Sequence, residues 1–76
     1  MKDLILVLTK SLVDDPSQVS VEEKADDRGE VVYEIRVAPD DMGKVIGRQG
    51  RVIKAIRTVA KAAAIRTGKR VNVEVV

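Results

Sequence analysis

Apolar residues recur along this chain at two periods, and the switches between them mark out six elements. Leu4, Ile5, Leu8 and Leu12 recur at helical spacing, the pattern of one helix face. Residues 2–13 are therefore predicted to form an amphipathic helix, with Leu6, Val7 and Val13 off its apolar stripe. Asp14, Asp15 and Pro16 end it. In residues 17–25, SQVSVEEKA, the period drops to two, and Val19 and Val21 share one face of a short strand. DDRG at 26–29 is a turn in which Gly29 can take a positive φ. EVVYEIRVA at 30–38 alternates again, with Val31, Tyr33, Ile35 and Val37 on one face and Glu34 and Arg36 on the other. The two strands should pair as a hairpin.

Pro39 closes the second strand, and Asp40 or Asp41 can cap a short helix over DMGKVI. After GRQG the period returns to that of a helix for residues 51–67, the longest element. Val52, Ile53, Ile56, Val59, Ala60, Ala63 and Ala64 gather on one side of it. Gly68 follows where a helix C-terminus favours glycine, and RVNVEVV at 70–76 turns Val71, Val73 and Val75 to one face. The order helix, strand, strand, helix, helix, strand predicts an α+β domain, a three-stranded mixed sheet covered on one face by three helices. Its second and third strands lie parallel through a right-handed crossover.

A chain of 76 residues makes one domain, and a domain this small buries only about 60% of its unfolded surface. The core is thin, so self-association is a plausible further source of stability. There is no cysteine and no histidine, which removes disulfides, thiolate metal sites and the commonest general base and metal ligand. Asp40 and Asp41 are adjacent, but both read better as helix-start residues, and no nucleophile, base and orienting group converge. Neither an enzyme nor a cofactor or metal is expected. In MKDLILVLTKSLV the apolar run is too short for a secretion signal, Asp3 interrupts its basic flank, and no small-residue cleavage site follows. No stretch approaches the ~20 apolar residues of a membrane span. The expected location is the cytoplasm.

The net charge of +2 conceals a division. Residues 1–41 carry five Lys/Arg and eleven Asp/Glu, whereas residues 42–76 carry nine Lys/Arg and the single acid Glu74. Such asymmetry points to a polyanionic partner. An acidic half and a basic half could equally neutralise each other, and charge alone does not choose between the two.

The choice sharpens at residues 45–53, VIGRQGRVI. On the plain reading Gly47 is a left-handed cap of the short helix, Gly50 is a turn residue, and GRQG merely reverses the chain. The functional reading starts from the helix that follows, whose N-terminus exposes unpaired N–H groups and the positive end of a dipole. Glycines there let a phosphate backbone approach without meeting a Cβ. Lys44, Arg48 and Arg51 surround the spot, no acid lies within residues 42–73, and Val45, Ile46, Val52 and Ile53 could wall part of a groove for bases.

VIGRQGRVI resembles the signature of KH domains: an apolar pair, GxxG, then an apolar residue three positions on. The predicted element order resembles the type II KH arrangement. The run MGKVIGRQGRVIKAIRTV, in a chain of single-domain length, is similar to the bacterial KhpA family, and the likeness spans essentially all of residues 1–76. It implies single-stranded RNA binding of an RNA-chaperone or post-transcriptional-regulator type. It also implies pairing with a second copy or with a KhpB-like KH partner. The family's clamp falls on Gly47, Arg48, Gln49 and Gly50, and its groove wall on Val45, Ile46 and Ile53, with a contribution from the second strand.

Arg51, Lys54, Arg57 and Lys61 share a face of the long helix. Arg51 and Lys54, nearest the loop, join Lys44 and the clamp as expected RNA contacts. Arg57 and Lys61 read as a solvated face, and Lys69 and Arg70 are left unassigned. Tyr33, the only aromatic residue, points into the core, so the exposed rings of stacking platforms are missing and sequence preference should be shallow. Thr58, Ala62 and Ile65 make a strip away from the main apolar stripe and are the expected dimer face. The competing function is a protein–protein interaction subunit, part of a KH homo- or heterodimer, whose GxxG is only a turn and whose nucleic-acid binding is incidental.

Overall fold

Each change of period is a change of element in the computed structural model, which describes residues 1–76. The elements are α1 (Lys2–Lys10), β1 (Ser20–Ala25), β2 (Glu30–Arg36), α2 (Met42–Ile46), α3 (Arg51–Ala64) and β3 (Arg70–Val75), with short 3-10 turns at Pro16–Gln18, Pro39–Asp41, Arg48–Gly50 and Ile65–Thr67. The sheet order is β1-β2-β3. β1 pairs antiparallel with β2, and β3 lies parallel to β2, as the alternation and the two-helix crossover required. Register puts Val21 beside Ile35, Val31 beside Val71 and Tyr33 beside Val73, so the inward residues form rows under the helices. At the hairpin Gly29 takes φ 81°, and the Asp26 carboxylate accepts the N–H groups of Arg28 and Glu30 at 2.8 and 2.9 Å, closing the turn by side chain as well as by backbone.

Several boundaries contract. α1 stops at Lys10 rather than residue 13, and its buried line is Ile5 and Thr9. Thr9 donates its hydroxyl to the Ile5 carbonyl at 2.8 Å, so a residue counted as polar satisfies itself within its own helix and joins the core. That turns the stripe: Leu6 and Val13, expected off it, pack against the core, while Leu12 is left exposed. The first strand begins at Ser20, not residue 17, because Pro16 opens a 3-10 turn. Asp40 and Asp41 do not cap α2. They lie in the preceding 3-10 turn, and α2 has no side-chain cap.

Tyr33 is buried, as its alternation predicted, and its hydroxyl donates to Glu23 Oε1 at 2.6 Å. Burial, aided by that carboxylate, pushes the phenol pKa up to about 12.

α3 packs Ile53, Ile56, Ala60 and Ala64 on the sheet. Val59 and Ala63, expected in that face, are exposed, Val59 by 43%. A sheet of three strands covers only a narrow stripe of a helix. The next stripe, Val52, Ala55 and Val59, turns toward α1 and lines with Leu8 and Leu12 an open apolar groove of about 260 Å³. Only 15 of 76 residues are buried, the thin core that chain length implied.

Candidate nucleic-acid interface

Gly47 ends α2 with φ 75° and ψ 171°. This is not the left-handed cap expected of it but the extended region at positive φ that only glycine occupies readily. A Cβ there would stand 2.4 Å from Val52 Cγ2 and 2.9 Å from the Val52 backbone nitrogen. Gly47 is thus pressed against the first turn of α3, and Val52, expected as groove wall, is the residue that presses. Gln49 and Gly50 follow at φ 58°, ψ 25° and φ 74°, ψ 17°. Two successive left-handed residues, one of them not glycine, make a tight turn, and the change of hand from Gly50 to Arg51 (φ −64°, ψ −38°) shapes the kind of concavity that holds anions. Gln49 bears the cost of that conformation, of order 1–2 kcal/mol. At Gly50 an added Cβ would meet nothing closer than 3.9 Å, so this face of the loop is open.

No side chain caps the N-terminus of α3. The Arg51 N–H bonds back to the Arg48 carbonyl, and the N–H groups after it, with the positive end of a 14-residue helix, face the loop. Arg48, Gln49, Arg51 and Lys54 are exposed around it. The acidic half does not neutralise them. Of the nine basic residues in 42–76, Lys44 alone forms an ion pair, and the other eight have no carboxylate within ion-pair distance.

Lys44 itself is committed elsewhere. Its ammonium pairs with Asp14 and lies 3.6 Å from Asp41, and the Asp14 contact, chiefly, raises its pKa. It is nonetheless exposed, and as the expected phosphate contact it would have to exchange these carboxylates for the new anion. Asp41, which sequence reading placed as a cap, is buried and instead accepts the N–H groups of Asp14 and Asp15 at 3.1 Å each. It ties the α1–β1 connection to the start of α2, a role whose only trace in the sequence is the i,i+3 spacing to Lys44. Two groove-wall assignments also change. Val45 is fully buried and Ile53 nearly so, because both point from the helix pair into the core. Ile46 is half-buried and keeps a free surface beside the loop. The structure thus gathers Ile46, Gly47, Arg48, Gln49, Gly50, Arg51 and Lys54 at one place.

The Asp41 contacts have a pH signature. Hydrogen bonds from the Asp14 N–H, and then from the Asp15 N–H with Lys44, lower its pKa against the opposing effect of burial. A carboxylate lowered on folding stabilises the fold above its unfolded pKa of about 3.9 and loses that contribution as pH falls through the folded value. Asp41→Asn should melt below wild type near neutrality. The gap should close in acid below about pH 4. Melting curves across a pH series check this, and a gap that persists unchanged into acid removes Asp41 as the tie.

Comparison with known proteins agrees with the geometry. The model of the KhpA/KhpB KH-domain family matches residues 2–75. The RNA-binding protein KhpA of Clostridium acetobutylicum is 54% identical over 76 residues, covering 100% of both chains. That of Caldanaerobacter subterraneus is 49% identical over the same span. Among solved structures, Aquifex aeolicus Era bound to GDP and aluminium fluoride superposes with a TM-score of 0.62. Era in complex with MgGDPNP and nucleotides 1506–1542 of 16S ribosomal RNA superposes at 0.61. Each is 24% identical over 97% of this chain and 30% of Era, a likeness of fold alone. No helix is long and apolar enough to cross a membrane. With the element order, the mixed sheet and the GxxG turn between α2 and α3 all in place, this chain belongs to the KhpA/KhpB family of KH domains.

Proposed function

We propose that this chain binds single-stranded RNA by closing the GRQG loop on the phosphate backbone, and that it serves as an RNA chaperone or post-transcriptional regulator. The observation that carries this reading is the uncapped N-terminus of α3 behind two successive left-handed residues, ringed by Arg48, Arg51 and Lys54 with no carboxylate paired to any of them. Relatives at up to 54% identity over the whole chain are named RNA-binding proteins, a binder's name and not an enzyme's. Ile46 offers the bases an apolar edge, and the phosphates supply the affinity. A clamp on about four nucleotides should give log K a slope of roughly −3 against log salt for a single strand. Fluorescence anisotropy of a labelled oligonucleotide over a salt series tests it. Absence of binding at low salt would favour the interaction-subunit reading instead.

Pairing with a second copy, or with a KhpB-like partner, belongs to the same proposal. Two surfaces compete for it. Ile65 is 77% exposed, and Thr58 and Ala62 beside it are exposed too, as a dimer face requires. Lys54 and Lys61 flank that strip, however, and a two-fold contact there would bring unpaired cations together. The α1–α3 groove lined by Leu8, Leu12, Val52, Ala55 and Val59 carries no charged residue, so like can meet like without electrostatic cost. We place the homodimer contact on the groove. Val59→Glu should convert the protein to monomer in sedimentation equilibrium while Ile65→Glu leaves the dimer in place. The opposite ranking would return the contact to the Ile65 strip.

A further inference from the structure

At the end of α3 away from the GRQG loop lies a hollow of about 420 Å³ lined by Glu30, Lys61, Ile65, Lys69, Arg70 and Val71. We propose that it is a second nucleotide subsite, taking a phosphate and base of a single-stranded RNA that runs on from the loop, an inference that rests on the function proposed above. Four observations converge on it.

First, Lys61, Lys69 and Arg70 have no carboxylate within ion-pair distance. Glu30 lines the same hollow and stands beside Arg70 in the sheet register, yet it pairs with none of them. The hollow keeps an excess of positive charge. Second, Ile65 is the most exposed of the large apolar residues, and it sits among those cations. An apolar side chain ringed by unpaired positive charge suits a ligand that is flat and apolar on one part and anionic on another, as a nucleotide is. It suits a protein partner of ordinary surface poorly.

Third, the hollow has the size of a ligand site, which runs from about 300 to 1,000 Å³. Fourth, a line of cations runs from the loop to it. Lys54, Arg57 and Lys61 follow Arg51 at spacings of three, three and four, one line of cations along a helix of 14 residues, about 21 Å long. Arg57 anchors that line over the sheet edge by donating its Nε–H to the Val73 carbonyl at 2.8 Å, with its remaining guanidinium donors free. The loop clamps about four nucleotides, and a strand leaving it along this face meets cations up to the hollow.

The test uses the whole chain and oligouridylates of about four and about ten nucleotides. In NMR titrations of the wild type, amides of residues 47–51 should shift with both lengths, and amides of residues 65–71 only with the longer one. Lys61→Gln, Lys69→Gln and Arg70→Gln combined should leave the short oligomer's affinity as it is. The same combination should make the salt slope for the long one shallower by about 0.7, the loss of one phosphate contact. All three side chains are exposed, and circular dichroism verifies the fold. Amides 65–71 that stay silent with the long oligomer, or a folded triple variant with an unchanged slope, overturn the second subsite and leave the loop clamp standing. An equal loss for both lengths reduces the hollow to general electrostatics and also overturns it. If neither oligomer binds the wild type, the clamp itself fails, and the subsite with it.

Discussion

Arg48→Asp combined with Gln49→Asp should abolish single-stranded RNA binding in a protein that remains folded. Both side chains are exposed, and no ion pair holds Arg48, so their loss removes nothing from the core. Asp also tolerates the left-handed conformation of Gln49 better than a long side chain does, and the fold should not suffer from the second change. At the loop, one positive charge becomes two negative ones at the point where the backbone lies open. Like charges brought together at a binding surface cost several kcal/mol, which is a loss of at least about a hundredfold in affinity. The effect should exceed that of Arg57→Asp, farther along the helix. Circular dichroism and anisotropy on the same sample decide it. RNA affinity that survives in the folded double variant would end the clamp reading.

The fold was legible from residue types because the inward rows of β2 and β3 are runs of valine, isoleucine or tyrosine at period two, and α3 declares its face by isoleucine and alanine at three and four. Legibility failed where one side chain could serve two masters. Thr9 is polar by type and lies in the core, since its hydroxyl finds its partner one turn back. Asp41 stands where a cap belongs, yet its carboxylate serves backbone N–H groups 26 and 27 residues away in the chain. Nothing local could reveal that. Lys44 is drawn to the same place, and so a cation assigned to RNA from its position in the sequence already faces two carboxylates that the sequence does not put beside it. Val45 shows the same limit for apolar residues. Spacing says that a side chain avoids water, not whether it faces the core or a groove. The GRQG loop was read as one unit. Its two glycines differ in a way that no pattern encodes, because the difference lies in which part of the next helix each one touches.

That difference makes the last prediction the most discriminating one. Gly47→Ala should destabilise the domain severely and Gly50→Ala only mildly, although the two glycines are three residues apart in one motif. At Gly47 the backbone conformation, φ 75° and ψ 171°, costs any other residue about 1–3 kcal/mol. The new Cβ then meets Val52 Cγ2 at 2.4 Å and the Val52 nitrogen at 2.9 Å. A side chain can rotate away from the first contact. The second is backbone at the start of α3 and can be relieved only by shifting the helix that carries much of the core. A domain of this size has on the order of 5 kcal/mol of total stability, so the variant should lose most of it. At Gly50 the cost is that of one left-handed alanine, about 1–2 kcal/mol, with open space around it. Gly50→Asp should then separate the two roles of the motif: a modest loss of stability and a large loss of RNA affinity in the folded fraction. Val52→Ala added to Gly47→Ala removes Cγ2 but not the backbone contact, so it should restore only part of the loss, a coupling that a double-mutant cycle measures. Urea unfolding of the wild type and these variants, with Val52→Ala alone to close the cycle, reads the stabilities, and anisotropy of a labelled oligonucleotide reads the affinity of Gly50→Asp. Equal destabilisation at the two glycines, or full rescue by Val52→Ala, would show that the loop is a simple turn and that α3 does not press on it.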